Sequence, residues 1–230
     1  MERADWSRIA HEGMAIMNPL SSAKLDEAIE VLELERGARV VDLGCGKGEL
    51  LRRLVERYAA TAIGVDTSPE LLAEARRHGI ETVEGDATAY DGDGFDLAAS
   101  VGGPVSLGKL ASLVRSGGFV LYGDGYWRRD PDAAYLAALG ATREELSDYA
   151  GTIAAGEELG LVPLHAVVAS VDDFDRYEWA WSRNGERYAA AHPDEPGVDQ
   201  FLAWIRNGRR RYVELGGRET LGFGLFLFRA

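Results

Sequence analysis

The sequence contains little from which disulfide bonds or membrane spans could be built. Cys45 is the only cysteine among 230 residues, so no intramolecular disulfide can form. No apolar run approaches the length that crosses a bilayer, and the first six residues are charged rather than signal-like. We therefore expect a cytoplasmic protein that is neither exported nor inserted into a membrane.

Positive charge is also scarce. The 25 Lys and Arg residues oppose 38 Asp and Glu residues, which gives a formal net charge of -13. Because binding to a phosphate backbone needs a basic surface, this composition argues against a nucleic-acid partner. We find no internal repeat and no low-complexity segment, and the hydrophobic fraction of 46% is ordinary for a globular protein.

A glycine-rich turn follows the first apolar strand and leads into a helical pattern. Gly44, Gly46 and Gly48 alternate, so no Cβ atom separates this backbone from a flat, polar ligand. Asp42 lies at the carboxyl end of the strand, where open α/β sheets bind ligands. Glu49 stands where the third glycine of the dinucleotide motif Gly-x-Gly-x-x-Gly would fall, which argues against NAD.

A second acid, Asp66, ends the next apolar strand. A carboxylate at this place can accept hydrogen bonds from both ribose hydroxyls of a bound nucleotide. The ribose could belong to NAD or to S-adenosylmethionine (AdoMet), so this spacing alone does not distinguish the two cofactors.

Strand and helix patterns alternate from Gly37 to Gly125, which indicates βαβ units and a parallel sheet. We predict strands near residues 39–43, 61–65, 80–83, 95–100 and 118–123, with helices near 49–58, 69–78 and 106–115. Beyond this core we predict helices near 132–139, 143–160, 173–191 and 198–214, and strands near 164–170 and 222–228.

The pattern Asp-x-Gly-x-Gly-x-Gly resembles the first motif of the class I AdoMet-dependent methyltransferases. Later landmarks follow in the family's order: Asp66, the stretch 84–87, the strand 95–100, and the turn 113–121, where Ser116 replaces a proline. The resemblance implies an α/β fold with a Rossmann-like, doubly wound, mostly parallel seven-stranded sheet. It implies AdoMet as cofactor and S-adenosylhomocysteine (AdoHcy) as product. The cofactor-binding residues that it implies are Asp42, Gly44, Cys45, Gly46, Asp66, Thr67, Asp86, Ala87 and Ser100.

Other stretches resemble a largely uncharacterised subgroup of bacterial small-molecule-type methyltransferases. They are Asn18-Pro19 and the ranges 123–128, 175–181, 192–194 and 211–213, so the resemblance covers nearly the whole chain. Asp124 replaces the subgroup's glutamate, and the loop 101–104 is shorter than expected. Both departures lie at the predicted site, so the resemblance does not identify the substrate.

We expect residues 1–230 to form a single methyltransferase domain. It comprises an N-terminal cover (1–36), an AdoMet-binding core (37–125), a helical segment (126–163), and the last two strands (164–230) with a helical insertion at 172–217. A minimal member of the family closes its last two strands as a hairpin. The long insertion and the N-terminal cover therefore predict a lid over the site.

Methyl transfer from a sulfonium is an in-line displacement that mainly needs alignment and the exclusion of water. A hydroxyl acceptor would benefit from a base, whereas other nucleophiles need none. The candidate catalytic residues are His11, Asp124 and Tyr126, although a lone histidine is often a packing residue and Asp124 could cap or pair with Arg128. The candidate substrate-binding residues are Asn18, Tyr126, Trp127, Arg128, Tyr177 and Trp181.

We predict methyl transfer to a small-molecule acceptor in a lidded pocket. The alternatives are a protein or RNA methyltransferase and a non-catalytic AdoMet-binding protein, in which tryptophans such as Trp181 would only pack the lid. One Asp-x-Asp at residues 91–93 is a weak calcium signal, and we expect no metal. The sequence leaves the acceptor, the methylated atom, the use of a general base and the oligomeric state open.

Overall fold

The computed structural model describes residue 1 and residues 3–230; Glu2, which belongs to the predicted cover, lies outside the described residues. The described chain contains a seven-stranded sheet. Its strands are β1 (Arg39–Leu43), β2 (Thr61–Asp66), β3 (Glu81–Glu84), β4 (Phe95–Val101), β5 (Val114–Trp127), β6 (Val162–Val168) and β7 (Leu221–Arg229). Their order is β3-β2-β1-β4-β5-β7-β6, and only β7 runs antiparallel to its neighbours in this sheet of described residues. The predicted Rossmann-like, mostly parallel seven-stranded sheet is confirmed.

Helices connect these strands and cover the sheet. They are α1 (Arg3–Ala10), α2 (Ser22–Glu30), α3 (Glu49–Tyr58), α4 (Pro69–Arg76), α5 (Leu107–Leu113), α6 (Ala133–Leu139), α7 (Tyr149–Glu158), α8 (Val171–Ala191), α9 (Val198–Val213) and α10 (Gly217–Thr220). None of these described helices is long and apolar enough to cross a membrane.

Two predicted elements differ from the structure. The helix predicted over 143–160 is wrong, because the chain forms a short 3-10 turn at Arg143–Glu145 and starts α7 only at Tyr149. The carboxylate of Asp148 accepts the backbone N–H of Gly151 at 2.7 Å and so caps α7. Strand β5 is longer than predicted, because β7 pairs with it as far as Trp127.

The sheet packs against helices on both faces. Val40 and Val41 are both fully buried, yet Val40 packs in the cluster that contains Leu51 of α3, whereas Val41 packs in the cluster that contains Leu110 of α5. Successive strand residues point to opposite faces, so a central parallel strand needs apolar side chains at both positions. Burying a side chain such as Leu51 contributes about 1.5–3 kcal/mol.

The turn from β1 into α3 requires glycine at its last position. Gly48 precedes α3 with a φ of 77°, a conformation that side chains disfavour. A Cβ atom there would lie 2.8 Å from a side-chain carbon of Ile80 and 2.9 Å from one of Ala75. The turn can therefore lie directly against the neighbouring βα unit only with glycine at this position.

Helices α1, α8 and α9 build a separate layer with its own apolar cluster. Trp6 of α1 packs edge-on against Phe201 of α9, with ring centroids 6.0 Å apart. Trp181 of α8 and Ile205 of α9 belong to the same cluster. The N-terminal segment and the helical insertion, which are far apart in sequence, therefore pack together. We call α1, α8 and α9 the lid layer.

Candidate functional site

A cavity of about 350 Å³ lies at the carboxyl ends of β1 and β2. Its volume falls in the range usual for small-molecule and cofactor sites. The glycine turn, the end of β2, the loop after β4 and the segment after α1 all contribute to its walls. The predicted site residues that line it are His11, Asn18, Asp42, Gly44, Cys45, Gly46, Asp66 and Thr67. We call this the edge cavity.

Asp66 connects the glycine turn to the end of β2. Its carboxylate accepts the backbone N–H of Gly46 at 2.9 Å on one oxygen and that of Ser68 at 2.9 Å on the other. A carboxylate oxygen can accept more than one hydrogen bond, so both oxygens can still accept a hydroxyl. The geometry therefore suits an acceptor for ribose hydroxyls that also fixes the turn.

Asp42 is buried at the wall of the edge cavity, with 3% of its surface exposed. Its Oδ1 atom has no hydrogen-bond partner among the described residues. Burial, and then the negative charge of Asp66, raise the pKa of Asp42 to about 7. A buried carboxylate without a partner is costly, and a cation would offset that cost.

These features fit AdoMet. The molecule carries an ammonium, a sulfonium and two ribose hydroxyls, and the edge cavity offers two carboxylates with spare acceptor capacity at Asp42 and Asp66. Gly44 has a φ of 81°, and a Cβ atom there would lie 3.3 Å from the backbone of Gly103. The close approach of these two loops thus depends on a residue without a side chain.

Cys45 lines the edge cavity but is not suited to nucleophilic chemistry. Burial raises the pKa of its thiol, and the carboxylates of Asp42 and Asp66 raise it further. A reactive cysteine needs the opposite environment, in which the thiolate is stabilised. The sulfur instead fills the space next to Gly64, where a Cβ atom would lie 2.7 Å from it.

Three predicted cofactor ligands do not line the edge cavity. The hydroxyl of Ser100 donates to the carbonyl of Leu43 at 2.6 Å and so connects β4 to β1. Asp86 accepts the Thr88 hydroxyl and backbone N–H, both at 2.8 Å, and these bonds lower the pKa of Asp86. Ala87 is buried in the core. The assignment of Ser100, Asp86 and Ala87 to the cofactor stays a prediction.

His11, which lines the edge cavity, forms a hydrogen-bonded pair with Tyr177, which lies outside the walls of that cavity. Nδ1 of His11 lies 2.7 Å from the carbonyl of Ser7, which can only accept, so Nδ1 carries the proton. Nε2 of the neutral ring then accepts the Tyr177 hydroxyl at 2.9 Å. Burial lowers the pKa of His11 despite the opposite effect of its bond to Ser7, which favours the neutral ring. The lone pair that a general base would use is therefore engaged by Tyr177.

Lys47 attaches the segment after α1 to the glycine turn. Its ammonium donates to the carbonyl of Met14 at 2.9 Å and to that of His11 at 3.2 Å. Lys47 itself belongs to the glycine turn and lines the edge cavity. Sequence reasoning missed this role, because nothing in the motif indicates which carbonyls a lysine will reach.

A second cavity, of about 260 Å³, lies between the lid layer and the helix α6. It shares Ser7 and His11 with the edge cavity. Its walls are rich in aromatic side chains, namely Tyr135, Tyr177, Trp181, Trp204 and Tyr212. We call it the aromatic chamber. Among the predicted substrate-binding residues, Tyr177 and Trp181 line this chamber.

An acid, Glu178, also lines the aromatic chamber. Its carboxylate forms no hydrogen bond with any residue that the structure describes. Burial raises the pKa of Glu178 to about 7, and the charge of Arg211 opposes this only in part. The sequence analysis missed Glu178, although a signal existed: it lies four residues after Phe174 and three before Trp181, on the apolar face of α8.

The structure corrects the placement of Tyr126 and Trp127. Both are buried within β5 rather than projecting from the sheet edge, because β5 continues alongside β7. The ring of Tyr126 packs against Phe226, with centroids 6.5 Å apart. The Trp127 indole donates to the carbonyl of Arg143 at 2.8 Å. Neither side chain lines the edge cavity or the aromatic chamber.

Asp124 and Arg128 are also used within the fold. Asp124 accepts the Tyr122 hydroxyl at 2.5 Å and the backbone N–H of the next residue at 2.7 Å, so it neither pairs with Arg128 nor lines either cavity. The guanidinium of Arg128 donates to the carbonyl of Ala169 at 2.7 Å and lies over the ring of Phe174. The catalytic role of Asp124 and the substrate role of Arg128 stay predictions that these contacts do not support.

Asn18 lines the edge cavity. Its side-chain oxygen also accepts a hydrogen bond from the backbone N–H of Leu20 at 3.0 Å. Among residues 1 and 3–230, no group of three or more His, Cys, Asp or Glu side chains could hold a metal ion.

Known proteins resemble this chain over nearly its full length. Residues 40–116 match a family model described as a methyltransferase domain. The protein YjhP of Escherichia coli is 30% identical over 230 residues, which cover 92% of each chain. Its crystal structure superposes with a TM-score of 0.88 at 28% identity and covers 98% of this chain and 99% of YjhP.

A second solved structure carries the cofactor product. It is a SAM-dependent methyltransferase from Thiobacillus denitrificans in complex with AdoHcy, with a TM-score of 0.88, 29% identity, and coverage of 100% of this chain and 99% of that one. Trans-aconitate 2-methyltransferase of Mycobacterium tuberculosis is 46% identical, but over only 26% of this chain and 23% of its own. The chain belongs to the class I S-adenosylmethionine-dependent methyltransferases, and its cofactor is S-adenosyl-L-methionine.

Proposed function

We propose that this enzyme transfers the methyl group of AdoMet to a small molecule bound in the aromatic chamber. One observation carries the proposal: the edge cavity and the aromatic chamber share Ser7 and His11. A donor in the first cavity and an acceptor in the second would therefore meet beside the same two side chains. When bound, AdoMet supplies an electrophilic methyl group that an acceptor can attack in line with the departing sulfur.

The side chains of this chain would bind, orient and exclude water. Asp42 would pair with a cationic group of the cofactor, and Asp66 would accept its ribose hydroxyls. The bonded pair of His11 and Tyr177 stands at the junction of the two cavities, where it would orient the acceptor. Holding two reactants in line can remove about 7–11 kcal/mol of the barrier, so positioning alone would supply a large part of the rate enhancement.

The size of the chamber and the net charge of the chain support a small acceptor. Its volume of about 260 Å³ lies just below the range typical of drug-sized ligands. The net charge of -13 disfavours an RNA acceptor. The partial match to a trans-aconitate methyltransferase also supports a small-molecule acceptor, without identifying it.

The expected cytoplasmic location belongs to the same proposal, and cell fractionation tests it.

The test is transfer of label from methyl-labelled AdoMet into a cell extract, which is then separated by ultrafiltration. We expect the label to pass the membrane with small molecules. Leu139→Trp fills the aromatic chamber and should abolish transfer while the affinity for AdoHcy stays unchanged. Leu159→Trp adds the same side chain at a half-exposed position outside the chamber and should stay active.

Each alternative function gives a different result. Label retained with protein or RNA would replace the small-molecule acceptor with a macromolecular one. Binding of AdoHcy without any transfer, in extracts from several sources, would favour a non-catalytic AdoMet-binding protein. Full activity of Leu139→Trp would place the acceptor outside the aromatic chamber.

A further inference from the structure

We infer that the methyl acceptor is an amine, which the carboxylate of Glu178 binds as an ammonium within the aromatic chamber; this inference rests on the proposed function. The arrangement that supports this inference is a single carboxylate, that of Glu178, among the aromatic side chains that line the chamber. The faces of tryptophan and tyrosine attract cations, and a carboxylate supplies the opposing charge and a hydrogen-bond acceptor.

Glu178 is available for a ligand because the fold does not use it. Its carboxylate forms neither a hydrogen bond nor an ion pair within 4.0 Å with any described residue. Arg211 lines the same chamber, but its guanidinium donates to the carbonyl of Ala138 at 3.3 Å. An acid without a partner in a partly buried, aromatic environment is costly to the folded protein, and a cationic ligand would offset that cost.

A neighbouring cavity does not offer the same chemistry. This smaller cavity, of about 170 Å³, lies between the segment after α1 and α8, and Asp173 and Arg176 line it. Asp173 pairs with Lys24 at 2.9 Å, and Arg176 pairs with Asp172 at 2.6 Å. Both charged side chains are thus satisfied within the protein. Among the carboxylates that line these two cavities, Glu178 is the one without a hydrogen bond or an ion pair to a described residue.

In the proposed transfer step, Glu178 acts as the base. The ammonium gives its proton to the Glu178 carboxylate, which frees the nitrogen lone pair. The nitrogen then forms a bond to the methyl carbon, the carbon–sulfur bond breaks, and its electron pair stays on sulfur. The product is a methylated ammonium and a neutral thioether. The proton leaves the Glu178 carboxyl for solvent when the chamber opens.

The pKa of Glu178, raised by burial to about 7, suits this exchange, since a base works best near the operating pH. The other titratable and charged groups that line the chamber come from the α1 segment, α6, α8 and α9. They are His11, Tyr135, Tyr177, Arg211 and Tyr212. Among them only His11 belongs to a residue type that titrates near neutral pH, and burial lowers its pKa.

The test compares a cation with its uncharged isostere. Binding of choline and of 3,3-dimethyl-1-butanol is measured by calorimetry on protein saturated with AdoHcy. We expect choline to bind at least about tenfold more tightly, and Glu178→Gln to remove this preference. Choline binding should tighten between pH 6 and pH 8 in the unmodified enzyme but not in Glu178→Gln.

Two further variants keep the test decisive. Glu178→Asp retains the charge and should keep the preference for choline. Glu214→Gln removes the same charge from an exposed position outside the chamber and should change nothing. Equal binding of the two probes, no binding of either, or an unaltered preference in Glu178→Gln would overturn the inference if AdoHcy still binds. Failure of AdoHcy to bind would remove the proposed function as well.

Discussion

Asp42→Asn should stabilise the free protein while weakening its hold on the cofactor. The structure gives Asp42 a buried carboxylate whose Oδ1 atom lacks a partner among the described residues. Asparagine has nearly the same shape but carries no charge. It removes the cost of burying an ionised acid beside Asp66, and it also removes the charge that a cationic cofactor would pair with.

The magnitude follows from the pKa of Asp42, which burial raises from 3.8 to about 7. Because the folded pKa lies above the unfolded one, the aspartate protein loses stability as pH rises from about 4 to about 7. At about 1.4 kcal/mol for each pH unit, the loss reaches an upper bound of about 4 kcal/mol above pH 7. The variant escapes this loss, so its advantage should grow from near zero at pH 4 to its full size at pH 8.

The assay is thermal unfolding of both proteins at pH 5 and pH 8, with AdoHcy binding measured by calorimetry at pH 8. The advantage of Asp42→Asn should increase by about 2–3 kcal/mol between the two pH values, or by about 5–10 °C in melting temperature. AdoHcy should bind about tenfold to a hundredfold more weakly. Asp91→Asn, at an exposed loop position, is the matched control. A variant that gains no stability at pH 8, or binds AdoHcy normally, would refute the reasoning.

Two further variants test the contacts around the edge cavity. Asp66→Asn leaves only one side-chain oxygen to accept N–H bonds, so the turn at Gly46 should loosen. The affinity for AdoHcy should fall at least about tenfold. Unchanged affinity in a folded variant would show that Asp66 does not hold the ribose. Lys47→Met removes the hydrogen bonds to the carbonyls of Met14 and His11, so amide hydrogen exchange should accelerate in residues 11–18. Exchange identical to that of the unmodified enzyme would show that Lys47 does not anchor this segment.

The acids and glycines of the edge cavity could be predicted because local sequence determines their positions. A buried strand, an acid at its carboxyl end and a glycine turn are consecutive in the chain, so Asp42 and Gly44 could be placed without knowledge of distant contacts. Asp66 could be placed by the same rule at the end of the next strand. Parallel packing then brings these strand ends together at one edge of the sheet.

The aromatic chamber could not be predicted in this way. Its walls come from α1, α6, α8, α9 and the start of β7, and no local pattern specifies how such helices cross. The burial of Tyr126 could not be predicted for a related reason. The extent of β5 depends on its antiparallel partner β7, about 100 residues later, so the sequence of β5 alone does not indicate where the sheet edge lies. That residues 1–230 form a single methyltransferase domain stays a prediction.

The charges of the two cavities give a physical reason for deprotonating an amine acceptor at Glu178. An ammonium and a sulfonium repel each other strongly in a cavity from which water is excluded. An acceptor that kept its proton would therefore be both unreactive and repelled from the methyl group. Transfer of that proton to Glu178 produces the nucleophile and relieves the repulsion in one step. On this proposal, methyl transfer would then move positive charge from the sulfur of the cofactor to the acceptor nitrogen, on the side of Glu178.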